Sequence, residues 1–230
     1  MGYTHADDPI KREEVFVVTK CGRIKEDDFD YSYNAITASI KRSMQRLFGA
    51  GETEFLDMVY LHDIEFQTMN QRMEALKALK DLKDAGFIRF IGCSGYPISF
   101  IYETCMEFKR RFGESLTGIL SYSNGCLQND SLFENGLITE KLYKECGLKI
   151  VSNGSILSMS MLSQHSLGMK KFHPCQQIIR DMFDFKVNSP LNQKLLDILN
   201  KYNQVLPLLA TKFSIIKNHE YNLLTVVGVS

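Results

Sequence analysis

Lys20 closes the apolar run Val15-Phe16-Val17-Val18-Thr19-Lys20, and His62 closes the next one, Leu56-Asp57-Met58-Val59-Tyr60-Leu61-His62. An ammonium group at the end of a buried run is costly unless it has a partner or a task. A lysine can also snorkel to a rim and simply end a strand, and a lone histidine at a strand end is more often a satisfied structural residue. Those readings stand beside a functional one. If the two runs are consecutive parallel strands, Lys20 and His62 lie side by side at one rim, where a cation and an imidazole can bind and protonate a ligand oxygen. Further polar groups follow the later apolar runs: Ser94-Gly95-Tyr96, Tyr122-Ser123-Asn124 and Gly154-Ser155.

The elements that must position these residues alternate. Apolar runs recur at Ile88 to Ser94, Leu116 to Asn124, Leu148 to Asn153 and Leu224 to Val229, and each reads as a strand buried on both faces, as does Val15 to Lys20. Between them the period changes. From Thr68 to Ala85, Met69, Met73, Leu76, Leu79 and Leu82 fall three or four apart, with Lys77, Lys80, Asp81 and Asp84 opposite. Thr68 with Gln71 forms a capping box, and Gly86 sits where a C-terminal cap belongs. Ile36, Ile40, Met44 and Leu47 give the preceding segment the same stripe. Strand–helix alternation predicts parallel strands with right-handed crossovers, in a closed barrel or an open doubly wound sheet. The open sheet calls for a Gly-rich phosphate loop after an early strand; Lys20-Cys21-Gly22-Arg23 is no such loop, which favours a barrel. A complete (β/α)8 barrel takes about 250 residues. The rhythm breaks from Ser163 to about Leu191, which reads as a long loop able to cover a substrate.

Bulk properties exclude some classes. Lys+Arg and Asp+Glu balance at 27 each, which points to neither a nucleic-acid nor a membrane-surface partner. Cys21, Cys93, Cys105, Cys126, Cys146 and Cys175 are scattered without zinc spacing and read as reduced thiols of a cytoplasmic protein. Residues 1–8 lack the features of a secretory signal, and no run is long enough to span a bilayer.

The motifs together resemble the aldo-keto reductase family. Val17-Val18-Thr19-Lys20-Cys21-Gly22-Arg23 is similar to that family's third strand, and Leu56 to Asp63 to its fourth. Ile88 to Pro97 resembles the fifth. Ile119 to Asn124, Ser155 to Ser160 and Phe172-His173-Pro174-Cys175 are most similar to the branch of fungal NAD-dependent D-arabinose dehydrogenases and plant L-galactose dehydrogenases. The resemblance implies one domain over residues 1–230 carrying an incomplete (β/α)8 TIM barrel, with strands three to eight present and the first two β/α units missing. It further implies NAD or NADP as cofactor, NAD being favoured by the branch, and an aldose oxidised at its anomeric carbon to the lactone. By resemblance Lys20 and His62 are catalytic. Ser94 and Asn124 would contact the nicotinamide carboxamide or its neighbours, and the backbone around Ser155 and Leu157 would approach the pyrophosphate. No metal is implied.

Departures from the family pattern shape the expectation for this chain. The family's site also has an aspartate and a tyrosine, expected before Met1; Tyr3, Tyr31 and Tyr33 are nearby phenols that do not match the motif. Val226 to Ser230 resembles the eighth strand, so the cofactor-gripping segment beyond it is also expected to be missing. Gly95 replaces an asparagine, and Gly154 stands where many relatives have a stacking aromatic. Losing a general acid costs about 10²–10⁴-fold in rate, and an open barrel exposes edges. Weak activity in a marginal fold is therefore expected. The alternative is a non-catalytic remnant or binding protein of the same descent. A metal-dependent barrel hydrolase ranks third, for want of ligands clustered at the strand ends.

Overall fold

The computed structural model describes residues 11–25, 27–49, 55–158 and 205–227, with isolated positions between 162 and 201. The expected loop from Ser163 to Leu191 lies outside the described residues, as do Tyr3, His173 and Cys175.

Six parallel strands form one sheet in the order β1-β4-β5-β6-β7-β8: β1 (Val18–Cys21), β4 (Leu56–Leu61), β5 (Ile88–Gly95), β6 (Gly118–Tyr122), β7 (Ile150–Gly154) and β8 (Leu224–Thr225). A separate antiparallel hairpin, β2 (Arg23–Lys25) with β3 (Asp28–Phe29), follows β1 and was not foreseen. Helices α1 (Tyr33–Phe48), α2 (Met69–Asp84), α3 (Ile98–Phe112) and α4 (Leu206–Glu220), together with a π-helical segment at Leu137–Glu145, connect the strands.

Each helix has a local cause. The Ser32 hydroxyl accepts from the Ala35 amide to start α1, and Gly49, at φ 92°, ends it. The capping box read at Thr68 and Gln71 forms, Met73, Leu76, Leu79 and Leu82 are buried, and Gly86 turns the chain out at φ 86°. Lys77–Asp81 and Lys80–Asp84 pair along the wet side of α2. Leu47 departs from the expected stripe of α1: it is exposed, and burial in that helix rests on Ile36 and Ile40.

Two clusters show the layering. The main core joins helix residues to Val59, Leu61, Ile91, Cys93, Ile119 and Val151, the strand residues of one face. The other face has its own cluster of Met58, Tyr60 and Leu120 with Phe90 and Ile150, strand residues alone. An inner lumen and an outer helix layer are the two faces of a (β/α)-type barrel wall. Curvature is visible in one contact: Tyr60 Oη on β4 meets Ser152 Oγ on β7 at 3.2 Å. Three strand spacings on a flat sheet would separate those strands by about 14 Å. The glycines explain how Tyr60 fits: a Cβ on Gly92 would lie 2.9 Å from its ring and 2.2 Å from the Gly118 carbonyl oxygen.

The outermost strands correct one expectation. The composition of Val15 to Lys20 predicts burial on both faces, yet Val15, Phe16 and Val18 are exposed, and the strand begins only at Val18. Leu224, Val226 and Val227 are exposed at the other margin. Within the described residues β1 and β8 each have a strand neighbour on one side only, so these runs lack the second neighbour that their composition suits.

Candidate functional site

Strand register decides which side chains share the lumen. Lys20 aligns with Tyr60, Tyr60 with Gly92, Ser94 with Leu120, Leu120 with Ser152, and Tyr122 with Gly154. Because side chains of adjacent parallel strands at one register share a face, Lys20, Ser94, Tyr122 and Gly154 all belong to the Tyr60 face, near the carboxyl ends. Beneath them Met58, Tyr60, Leu120, Phe90 and Ile150 form an apolar floor.

Lys20 Nζ stands 3.3 Å from His62 Nε2, so the two candidates meet as the sequence predicts. Lys20 is exposed, yet enough protein surrounds its ammonium that burial lowers its pKa, with the Asp63 carboxylate opposing the change. Burial also lowers the pKa of His62; Asp63 pushes it up, while the charges of Lys20 and Arg23 push it down. His62 is pinned through its backbone, its amide donating to the Cys21 carbonyl at 2.9 Å and its carbonyl accepting from Tyr31 Oη. Its ring Nδ1 lies 3.2 Å from Asp63 Oδ2, and that oxygen also takes Arg23 Nη1 at 2.5 Å. Asp63 itself sits in the left-handed region, at φ 56° and ψ 54°.

The other predicted residues surround this pair in different ways. Ser94 is buried, its hydroxyl donating weakly to the Leu61 carbonyl at 3.4 Å. Asn124 is buried and engaged by the protein: its Nδ2 reaches the carbonyls of Tyr96 at 2.6 Å and Tyr122 at 3.0 Å, and Ser121 Oγ at 3.0 Å. Its Oδ1 accepts from Asn129 Nδ2 at 3.4 Å. Asn124 thus ties the ends of β5 and β6 together. Ser155, at φ 57°, opens a tight turn in which the Ser158 amide donates to its carbonyl at 2.8 Å, and Leu157 lies within that turn.

Sequence reasoning missed Arg23 and Tyr31 as site residues and gave Tyr122 only as a strand-end polar group without a role. Tyr122 stacks edge-on against Tyr96 with ring centroids 6.0 Å apart. Burial raises its pKa, while hydrogen bonds to Ser155 and Ser123 lower it. The adjacency of His62 and Asp63 was a visible signal. Arg23 gave none, because its approach depends on the β2–β3 hairpin, held down by the Phe29–Phe66 stack with centroids 5.1 Å apart. Among the described residues no group of three or more His, Cys, Asp or Glu is placed to hold a metal ion. No helix among them is long and apolar enough to cross a membrane.

The chain is similar to known proteins. The profile of the Aldo/keto reductase family covers residues 2–230. The chain is 40% identical over 196 residues to the D-arabinose 1-dehydrogenase of Saccharomyces cerevisiae, covering 83% of this chain and 56% of that protein. It is 32% identical over 166 residues to the L-galactose dehydrogenase of Arabidopsis thaliana, covering 72% of this chain and 47% of the relative. The chain therefore spans about half the length of the curated relatives it matches. The crystal structure of an aldo-keto reductase enzyme from a Medee basin deep-sea metagenome library shares the fold, with a TM-score of 0.56 at 15% identity over 96% of this chain and 63% of that one. By sequence profile and by identity to these relatives, the chain belongs to the aldo/keto reductase family.

Proposed function

We propose that this chain carries the lysine–histidine half of a nicotinamide-dependent sugar dehydrogenase, which oxidises an aldose of the D-arabinose type at its anomeric carbon to the lactone. The observation that carries the reading is the meeting of Lys20 Nζ and His62 Nε2 at 3.3 Å, above an apolar floor. The names of the two curated relatives supply the substrate class, and NAD is the cofactor that the resemblance of the motifs implies.

The residues present fit a nicotinamide ring. Leu120 and Tyr60 give an apolar surface, Gly154 leaves its part of the inner face without a side chain, and Ser94 and Tyr122 bring hydroxyls to the margin. A bound nicotinamide supplies the carbon that accepts hydride. In this reading Lys20 and His62 hold the sugar oxygen whose proton leaves. Ser94 holds the carboxamide edge, with Asn124 fixing the strand ends beside it, and the turn at Ser155 and Leu157 offers backbone to the pyrophosphate. The test is NAD-dependent oxidation of D-arabinose and L-galactose, followed as NADH absorbance, beside a Lys20→Met variant. Equal rates for the two proteins would defeat the assignment.

A second reading, a binding protein of the same descent without redox turnover, is favoured by one observation. The described phenols nearest in sequence to β1 are committed elsewhere: Tyr31 donates to the His62 carbonyl and Tyr33 to Asp81 Oδ2 at 2.9 Å. Were no phenol to reach the ligand oxygen, turnover would fall by about 10²–10⁴-fold. Titrating the protein into NADH and following the cofactor's fluorescence separates the readings. Saturable binding supports the dehydrogenase, and its absence supports the second.

A further inference from the structure

Tyr122 is the last residue of β6, and its side chain is half-buried at the carboxyl end of the inner face. Strand register fixes its height. Tyr60 Oη meets Ser152 Oγ across the bore at 3.2 Å, which brings the Tyr60 layer of β4 level with the Leu120 and Ser152 layer of β6 and β7. Two residues further along each strand, about 7 Å higher, come His62 after β4 and the pair Tyr122 and Gly154 on β6 and β7. His62 and the Tyr122 ring therefore share one layer, over the floor of Tyr60 and Leu120.

The ring is held from behind. Asn124 Nδ2 donates to the Tyr122 carbonyl at 3.0 Å and to the Tyr96 carbonyl at 2.6 Å, and Glu65 Oε1 accepts from the Tyr96 amide at 3.0 Å. Tyr96 in turn meets Tyr122 close to the perpendicular, at 76° with centroids 6.0 Å apart, a geometry in which aromatic pairs attract. Such a partner covers at most one face of the Tyr122 ring. On the neighbouring strand Gly154 contributes no side chain, and a Cβ there would come 3.2 Å from Leu120 Cδ1. Burial raises the pKa of Tyr122, so near neutral pH the phenol is uncharged and presents an electron-rich face.

We infer that Tyr122 is the surface on which the nicotinamide ring stacks, and that it makes this chain favour the oxidised, cationic ring over the reduced, neutral one. The inference rests on the proposed dehydrogenase reading and adds to it a binding residue and a selectivity. An aromatic face attracts a cation through its quadrupole, more strongly where water is kept away. The oxidised ring is a pyridinium and gains this attraction; the dihydro ring is neutral and gains only dispersion and apolar burial. Charged side chains at this mouth balance, Lys20 and Arg23 against Asp63 and Glu65, so they give a cationic ring little net attraction and the aromatic face decides. Lys20 and His62 stand across the bore in the same reading, with the sugar between them and the stacked ring. An enzyme that grips the oxidised cofactor more firmly than the reduced one is suited to running toward the lactone.

The test is isothermal titration calorimetry of the intact chain with NAD+ and with NADH, beside absorption spectra of the NAD+ complex. A nicotinamide cation stacked on a phenol gives a charge-transfer band at longer wavelength than either ring alone, and the chain has no tryptophan to supply one instead. The expected result is such a band in the unaltered protein and its loss in Tyr122→Leu. That variant is expected to bind NAD+ about tenfold more weakly and NADH about threefold more weakly. Tyr122→Phe keeps a ring and is expected to hold NAD+ within about threefold of the unaltered protein, its band moved to shorter wavelength. Should Tyr122→Leu fail to fold, the band in Tyr122→Phe decides alone. A band that survives in Tyr122→Leu or stays unmoved in Tyr122→Phe overturns the inference, and so do equal losses for NAD+ and NADH. A protein with the Tyr122 band but no oxidation of D-arabinose keeps the inference and refutes the dehydrogenase reading. Sugar oxidation in a protein whose NAD+ affinity ignores Tyr122→Leu does the reverse.

Discussion

Single residues at the two ends of the strands divide the work between chemistry and stability. At the amino end, Asp57 is buried and receives Arg12 at 2.6 Å, Arg89 at 3.0 Å and the Val17 amide at 2.8 Å. Burial alone would raise its pKa, but the Val17 amide and the two arginines together hold it below the ordinary value. The stabilisation is therefore complete above the unfolded pKa of about 3.9 and disappears as pH falls through the lower folded value. Asp57→Asn is expected to cost roughly 3 kcal/mol near neutrality, since it leaves Arg12 facing an uncharged group, and to flatten the acid limb of stability. Urea melts of both proteins from pH 3 to 7 check this; parallel curves would contradict it. Gly92 is constrained from the opposite direction. Gly92→Ala places a methyl against the Gly118 carbonyl and the Tyr60 ring, and a loss of about 1–3 kcal/mol is expected in the same melts.

At the scale of elements, α2 is the helix whose boundaries the residues themselves declare. Thr68→Ala removes the side chain that accepts from the Gln71 amide and is expected to cost about 1 kcal/mol, read as a lower denaturation midpoint with an unchanged slope. That helix and the centres of β4 to β7 were legible because each buries a continuous apolar pattern, which water excludes whatever the distant chain does. The start of β1 was not, because Val15 and Phe16 carry a buried strand's composition at a sheet margin. The hairpin β2–β3 was missed for the opposite reason: Arg23 to Lys25 is mostly polar, and its pairing depends on tertiary contacts of Phe29. Within the site, Lys20 and His62 were legible from their strand-end positions. The grip of Arg23 on Asp63 needs a left-handed residue after β4 and a hairpin over it, neither of which a local pattern records.

For the whole molecule, exposed apolar side chains at the two sheet margins should govern solution behaviour. Unpaired strand edges are templates for association. Leu224→Lys and Val18→Lys together are expected to reduce self-association in light scattering at raised concentration while leaving the thermal midpoint within a few degrees. Unchanged scattering would place the sticky surface elsewhere. The Tyr60 bridge to Ser152, finally, sets a depth gauge. It crosses the inner face of the sheet at the register of Lys20, so on the proposed reading a guest beside the Lys20–His62 pair rests over this bridge. On that reading a compact ring suits such a shelf better than an extended chain.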